Sequence, residues 1–272
     1  MRNYILSAAL ATVIMIAGSF SAAAERFILI ASTTSTQNSG LFDHLLPKFT
    51  AKTGIEVRVI AVGTGQALKM GSRGDADVLL VHDAVSEMMF VKNGFGVDRR
   101  DVMYNDFVVV GPSNDPAGAT EAWDVAKAFR NIAKSGAAFV SRGDNSGTHK
   151  AEQRIWIDVG IDAAQYSGDW YREAGAGMGA TLNTTSVMGA YTIADRATWL
   201  SFGNKGGLRI VHEGDKQLFN PYGVILINPK RFPHVKEADA RAFMDWLTSK
   251  EGQGAIADFR IDGRQVFFPN AN

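Results

Sequence analysis

The chain contains 272 residues, of which 28 are basic, 28 are acidic and none is cysteine. This balanced charge argues against nucleic acid or an anionic membrane surface as a partner, since both select for clustered positive charge. Without cysteine the chain forms no disulfides, so its stability has to come from a hydrophobic core of sufficient size.

The first 24 residues are predicted to be a cleavable secretion signal. Arg2 supplies the positive charge, residues 3–24 contain no charged side chain and are mostly apolar, and three alanines at 22–24 form a small-residue cleavage site. An uncleaved anchor is the alternative, and the small residues argue against it. No other segment is long and apolar enough to span a membrane. We therefore expect a periplasmic protein.

A Ser/Thr-rich turn follows the first predicted strand. Residues 27–30 form that strand, and the sequence Ala-Ser-Thr-Thr-Ser-Thr at 31–36 precedes a predicted helix over 39–52. Leucine and phenylalanine residues form one apolar stripe along this helix, and Gly54 is placed to end it. Serine and threonine are ordinary helix caps, so this turn alone is a weak indication of ligand binding.

Two further predicted strands also end in polar residues. The strand over 57–62 is followed by the turn Gly-Thr-Gly-Gln at 63–66, which contains Thr64. The buried strand over 77–81 is followed closely by Asp83. We interpret Asp83 chiefly as the N-cap of the next helix.

The segment Ser-Arg-Gly-Asp-Asn-Ser-Gly-Thr at 141–148 is the most informative in the chain. It connects a predicted strand over 137–140 to a helix predicted from 149 onward. The first N–H groups of a helix have no intrahelical partner, and the helix dipole adds positive charge there. Arg142 contributes a guanidinium fork, and the serine and threonine contribute hydroxyl donors. The segment therefore predicts an anion-binding site, although a capped helix with a salt-bridged arginine is the simpler alternative.

The remaining predicted elements continue the alternation of strands and helices. They are a strand over 106–110 ended by Gly111-Pro112, a helix over 120–134 with Trp123 turned inward, a Ser/Thr turn over 183–186 at a helix start, a strand over 221–227 and a helix over 237–249. This alternation indicates an α/β fold with mainly parallel sheets. Ligands bind at the carboxyl ends of strands in such sheets, and most of the Ser/Thr turns are predicted there.

The strands near 106–111 and 221–227 are predicted to cross between two lobes. Lobe 1 is then discontinuous, comprising residues 25–111 and 220–272, and lobe 2 comprises residues 112–219. Two lobes joined by two strands form a hinged cleft that closes around a ligand.

Four sequence blocks carry a family resemblance: 33–41, 75–82, 141–150 and 182–186. With these blocks the mature chain resembles two-lobed, type II periplasmic solute-binding proteins, and most of all the tungstate-binding proteins of ABC importers. The resemblance implies a tungstate or molybdate ligand, ABC permease subunits in the inner membrane as partners, and a monomer. It also implies that the chain needs no cofactor or metal, binds no nucleic acid and is not an enzyme.

The predicted ligand contacts lie in the four polar turns. By resemblance, the turn at 33–36 and Arg142 are the principal contacts, and which of the first three hydroxyls points into the cleft is left open. The predicted residues are Thr33, Thr34, Ser35, Thr64, Arg142, Ser146, Gly147, Thr148 and Thr185.

Phosphate is the alternative ligand, because the segment 142–148 is also similar to the site of phosphate-binding proteins. A phosphate proton needs an acceptor, and Asp83 is the candidate. A secreted serine hydrolase using Ser146 and His149 is a remote alternative, because a G-x-S-x-G elbow would place its serine at 145. The five histidines are dispersed and form no zinc-binding spacing.

Overall fold

The computed structural model describes residues 26–271, which form a mixed α/β fold. The predicted secretion signal at 1–24 lies outside the described residues. The strands are β1 (Phe27–Thr33), β2 (Glu56–Val62), β3 (Val78–Val81), β4 (Gly96–Pro112), β5 (Phe139–Ser141), β6 (Tyr171–Glu173), β7 (Thr192–Asp195), β8 (Leu208–His212), β9 (Phe219–Ile227), β10 (Arg260–Ile261), β11 (Arg264–Gln265) and β12 (Phe268–Pro269). The α-helices are α1 (Thr34–Asn38), α2 (Leu41–Thr53), α3 (Thr64–Gly71), α4 (Ala84–Lys92), α5 (Val125–Ser135), α6 (Gly147–Asp158), α7 (Met178–Met188), α8 (Arg196–Ser201), α9 (Glu237–Thr248) and α10 (Lys250–Asp258).

The helix predicted over 39–52 begins earlier and is divided in two. The chain enters α1 at Thr34, directly after β1, and α2 follows after a break at Gly40. Gly40 has a φ of 80°, a left-handed conformation that glycine adopts without the steric cost of a side chain. Gly54 ends α2 in a left-handed C-cap, as predicted, and Pro47 lies inside the helix.

The helix predicted over 120–134 starts later, at α5. Asp124 is its N-cap and accepts a hydrogen bond from the backbone N–H of Lys127 at 2.6 Å. Thr120 is therefore outside the helix, and its backbone N–H donates to Asp115 instead. The inward orientation of Trp123 is wrong, since 78% of its surface is exposed.

The Ser/Thr turn predicted at 183–186 is not a helix start. These residues lie inside α7, whose N-cap is Gly177. The Thr185 hydroxyl donates to the carbonyl of Thr181 at 2.7 Å, one turn earlier in the same helix. Serine, threonine and asparagine favour helix ends, but a buried helix can accommodate them by this internal hydrogen bond.

The main sheet is mixed, with more antiparallel pairing than the sequence predicts. Strands β2, β1 and β3 lie side by side and parallel, and β5 pairs parallel with β6. The long strand β4 pairs antiparallel with β9 over residues 96–106 and with β7 and β8 over residues 107–112. Strand β9 in turn pairs antiparallel with β3. Strands β4 and β9 are therefore the two connections that run through the centre of the molecule.

Buried apolar residues are divided on either side of these central connections. The largest cluster is built almost entirely from residues 28–103 and 222–267, and includes Phe49, Phe243 and Ile225. Two further clusters take their buried members from residues 107–218, and the larger of them surrounds Trp156. Separate cores of this kind produce a two-lobed α/β fold. Within residues 26–271, no helix is long and apolar enough to cross a membrane.

Candidate anion-binding site

The carboxyl ends of β1, β2, β3 and β5 bring four polar segments together. Strand β1 leads into Thr33, β2 into the start of α3 at Thr64, and β3 into His82. Strand β5 leads into the loop 142–146 and the start of α6. Helix starts expose unpaired N–H groups, so several donors converge at this edge of the sheets.

The turn after β1 is held by its own hydroxyl groups. Thr33 is the N-cap of α1 and accepts from the backbone N–H of Thr36 at 3.3 Å. The Ser35 hydroxyl oxygen lies 3.1 Å from that of Thr33 and 3.4 Å from Nε2 of His82. Thr33 therefore stabilises the turn, whereas Ser35 lies against His82 at the end of β3. Thr34 is half-buried.

Arg142 is buried and held in a fixed plane by Asp144. Its Nη2 atom donates to Asp144 Oδ2 at 2.6 Å, while Asp144 Oδ1 accepts from the backbone N–H of Ser146 at 3.1 Å. Only 3% of Arg142 is exposed. This ion pair matches the salt-bridged arginine of the simpler alternative. Ser146 is the N-cap of α6 and accepts from the backbone N–H of His149, so the capped helix of that alternative is present as well.

Three donor groups on predicted ligand contacts are among the side-chain atoms that are buried without a hydrogen-bond partner in the described part of the chain. They are Arg142 Nε and the hydroxyl groups of Thr64 and Thr148. Both threonines are completely inaccessible. A buried polar group without a partner costs about 1–3 kcal/mol, so such groups are retained where a ligand or water completes them. The three groups come from α3 on one side and from the 142–148 segment on the other.

The two sides of the site are in close contact across Gly147. A Cβ atom on Gly147 would lie 2.8 Å from Cε1 of His82 and 3.1 Å from Oγ1 of Thr64. A Cβ atom on Gly65 would lie 3.2 Å from the carbonyl oxygen of Asn145. The start of α6 therefore packs directly on the ends of β2 and β3, and the cleft between the lobes is closed.

Asp83 occupies the N-cap position of α4, as predicted, but its side chain makes no capping hydrogen bond and pairs with α6 instead. Its carboxylate accepts from Arg154 at 3.0 Å, forms an ion pair with Lys150 at 3.3 Å and accepts from Ser86. Both cations lie on α6, on the other side of the cleft. Burial would raise the pKa of Asp83, but the bond from Ser86 and the two cations outweigh burial and lower it.

A buried carboxylate supports the base of the 142–148 loop. Glu152 on α6 accepts hydrogen bonds from Ser141 at 2.7 Å, from Tyr171 at 2.7 Å and from Trp156 at 3.1 Å. Burial raises the pKa of Glu152 to about 7, although all three donors act against this rise. The network fixes the end of β5, and therefore the direction in which Arg142 leaves the strand.

Most of the predicted site residues come together, with Thr185 as the exception. Thr33, Ser35, Thr64, Arg142 and the start of α6 meet as described above. Thr185 is fully buried inside α7, and its hydroxyl proton is used within that helix. Its contact with a ligand stays a prediction without support from its position.

The sequence did not single out His82 as part of the site. His82 is 4% exposed and bonds through Nδ1 to Asn220 at 2.9 Å, and Asn220 bonds to Asn105 at 2.6 Å. A signal was present, because His82 directly follows β3, at the sheet edge where the other polar segments end. The two asparagines lie in β9 and β4, and no local pattern connects them to the site.

A separate surface cavity of about 590 Å³ lies beside β4 and β9. Its lining includes Tyr104, Phe219 and Phe268 and shares no residue with the predicted ligand contacts. Across the described residues, no group of three or more His, Asp or Glu side chains is placed to hold a metal ion.

The fold and the site together define a two-lobed α/β solute-binding protein. Buried donors without a partner in the described residues lie on α3 and on the 142–148 segment, which pack against each other. The PBP superfamily domain matches residues 18–251, so the chain belongs to the PBP superfamily.

Comparison with individual relatives assigns the chain to one family within this superfamily. It is 48% identical over 252 residues to the tungstate-binding protein TupA of Peptoclostridium acidaminophilum, covering 91% of this chain and 87% of that protein. The structure of the tungstate-binding protein TupA from Desulfovibrio alaskensis G20 matches with a TM-score of 0.79 and 46% identity, covering 91% of this chain and 100% of the other. The tungstate ABC transporter structure from Geobacter sulfurreducens matches with a TM-score of 0.79 and 50% identity, covering 86% and 99%. Within the superfamily, the chain belongs to the family of these TupA proteins.

Proposed function

We propose that this protein captures tungstate, and also molybdate, in the cleft between its lobes and delivers the oxyanion to the permease of an ABC importer. The observation that carries the proposal is the set of unpartnered buried donors, Arg142 Nε and the hydroxyls of Thr64 and Thr148. Family membership supports it, since the TupA relatives are named as tungstate-binding proteins.

The chemistry of the site suits a fully ionised dianion. Tungstate carries no proton near neutral pH, so each of its four oxygens accepts hydrogen bonds and none donates. Hydrogen bonds to an ionised acceptor are shorter and roughly twice as strong as neutral ones. Arg142, the site hydroxyls and the N–H groups at the starts of α1, α3 and α6 are all donors, so they can surround the oxyanion without a metal or cofactor.

We propose lobe limits close to those predicted from the sequence. Lobe 1 then contains residues 25–105 and 220–272 and lobe 2 contains residues 106–219. The first limit is moved from 111 to 105 because Phe107 and Val109 pack in the cluster around Trp156. A ligand that contacts both lobes stabilises the closed form, which the permease then recognises. The protein acts as a periplasmic monomer in this scheme.

Phosphate is less well matched by the same geometry. At neutral pH it carries a proton for much of the time, and this proton requires an acceptor in the site. Asp83, the predicted acceptor, is engaged by Arg154, Lys150 and Ser86. A protonated ligand would leave buried groups unpaired, which disfavours it strongly.

The hydrolase alternative lacks a base for its serine. Ser146 Oγ accepts the backbone N–H of His149, and Nδ1 of the His149 ring accepts from the backbone N–H of Asn145 at 3.1 Å. The ring nitrogen that could take a proton is therefore already occupied. A serine nucleophile needs a free base within hydrogen-bond reach, so we propose a binding protein and not an enzyme.

Tungstate is expected to raise the melting temperature of the mature protein at micromolar concentration without added metal. A ligand at 100 times its Kd stabilises the folded state by about 2.7 kcal/mol. Differential scanning fluorimetry with tungstate, molybdate, sulfate and phosphate tests this, and the first two should give the largest shifts. If none of the four anions shifts melting at millimolar concentration, the proposed function is wrong.

Asp83→Asn is expected to weaken tungstate binding roughly fivefold, because it removes a charge that joins the lobes in the closed form. Lys150 and Arg154 are partly exposed, so the two ion pairs together contribute about 1 kcal/mol. Since the pKa of Asp83 is lowered, its carboxylate stays charged and this effect should be the same at pH 7 and 8.5. Calorimetry measures it, with the exposed Asp169→Asn as the matched control. Tight phosphate binding that collapses in Asp83→Asn would instead support the phosphate alternative.

A further inference from the structure

His82 lies against both the hydroxyl turn and the start of α6. Its Nε2 atom lies 3.4 Å from Ser35 Oγ, and its ring stacks on Tyr222 with centroids 4.8 Å apart. Gly147 of the other lobe lies against the remaining edge of the ring. Ser35, Asn220, Tyr222 and Gly147 therefore all lie next to the ring and restrict its rotation.

The neighbours of His82 determine which ring nitrogen carries the proton. Asn220 donates through Nδ2 to Asn105 Oδ1, so its amide oxygen is the atom that faces His82 Nδ1 at 2.9 Å. An amide oxygen only accepts, which places the proton on Nδ1. A neutral imidazole has a single N–H, so Nε2 is an acceptor and faces Ser35 with a lone pair.

When an oxyanion binds, more than one acceptor requires the single hydroxyl proton of Ser35. Ser35 has one hydroxyl proton, which it can give to His82 Nε2, to Thr33 Oγ1 or to the anion. If the anion receives it, the lone pairs of Ser35 Oγ and His82 Nε2 face each other in a buried place. Adding a proton to Nε2 removes the conflict, since the ring then donates to Ser35 Oγ.

We propose, on the basis of the proposed function, that His82 takes up a proton from solvent at Nε2 when the oxyanion binds. The charged ring donates to Ser35 Oγ, and the Ser35 hydroxyl donates to the oxyanion. His82 is thus a positioning residue that aims Ser35 and adds positive charge next to a dianion.

The charges around His82 favour a change of the ring from neutral to protonated when the oxyanion binds. In the protein without ligand, burial is the largest influence on His82 and lowers its pKa, and the charge of Arg142 lowers it further. The hydrogen bond to Asn220 and the carboxylates of Asp195 and Asp83 raise the pKa, but by less than burial lowers it. Tyr222, which stacks on the ring, has a raised pKa and stays neutral. The ring is therefore neutral at pH 7 until a dianion arrives, and the two new negative charges favour its protonated form.

Isothermal titration calorimetry in two buffers of different ionisation enthalpy tests the proposal directly. Tungstate binding to the wild-type protein at pH 7 should take up about 0.5–1 proton per site, and affinity should fall up to about tenfold per pH unit toward pH 8.5. His82→Gln can still donate to Ser35 but cannot be charged, so its binding should take up no proton and be independent of pH.

His234→Gln is the matched control and should behave as the wild type. His234 bonds to the carbonyl of Gly74, before β3, whereas His82 follows the last residue of that strand. The two histidines therefore lie at opposite ends of β3.

Histidine ¹⁵N chemical shifts of the wild-type protein give a second readout that needs no variant. Nε2 of His82 should change from unprotonated to protonated when tungstate is added. Tungstate binding without proton uptake or without this shift overturns the inference and leaves the proposed function intact. Proton uptake that persists in His82→Gln also overturns the inference, because the proton then binds to another group. No tungstate binding at all overturns the proposed function itself.

Discussion

Arg142→Ala is expected to weaken tungstate binding roughly 10- to 100-fold, while the protein without ligand stays folded. Hydrogen bonds to charged groups contribute about 1.5–3 kcal/mol each, and the buried Nε of Arg142 has no hydrogen-bond partner among residues 26–271. Arg142→Lys should recover only part of the affinity, because an ammonium group cannot make the planar fork. Calorimetry of tungstate binding measures both variants.

The control for this prediction is Arg130→Ala, which removes an exposed arginine from α5. It should leave affinity unchanged. If Arg142→Ala loses its fold by circular dichroism, or binds tungstate as tightly as the wild type, the arginine serves only its ion pair with Asp144.

Gly147→Ala is expected to weaken tungstate binding about as much as Arg142→Ala does. The cause is a steric clash and not the loss of a hydrogen bond. The added methyl group would lie 2.8 Å from the His82 ring, which is held by Asn220 and by stacking on Tyr222. Overpacking of this kind costs about 1–3 kcal/mol. The clash exists only when the lobes are closed, so the variant should favour the open form. Small-angle scattering with and without tungstate measures the closure, and calorimetry measures the affinity.

Gly179→Ala provides the matched substitution for this experiment. Gly179 also lies in the first turn of a helix, α7, but a Cβ atom there would meet nothing within 4 Å. Replacing a helical glycine by alanine stabilises by about 0.5–1 kcal/mol where there is room. Both variants should therefore remain folded without ligand. Normal closure and affinity in Gly147→Ala would falsify the close interlobe contact at this position.

Features that depend on neighbouring residues were predictable from the sequence. The 141–148 segment shows this, because Ser146 caps the helix that follows it and Asp144 reaches Arg142 two residues away. Strand β3 was recognisable as a continuous run of buried aliphatic residues. Gly54 ends α2 in a left-handed conformation, as its position predicts. Each of these outcomes is set by local backbone preferences and short hydrogen bonds.

Strand β4 was recognised only in part, because its first half is not apolar. Residues 98–101 are charged, and their strand conformation is stabilised by partners that are distant in sequence. Arg100 pairs with Asp245 and Arg99 with Glu87. No alternation of apolar and polar residues marks such a segment, so the antiparallel pairing with β9 was not visible.

The sequence by itself determined the class of the protein, the α/β alternation, the polar loop at 142–148 and the turn at Thr33, because these depend on local propensity, capping and family-specific motifs. Only the tertiary structure decided which polar groups meet. It paired Asp83 with Lys150 and Arg154, which are 67 and 71 residues further along the chain. It buried the donors of Arg142, Thr64 and Thr148 without a partner in the part of the chain that the structure describes, and it placed His82 between Ser35 and Asn220. The physical reason is that the docking of two lobes sets these contacts, and the free energy of such docking is spread over residues far apart in the chain.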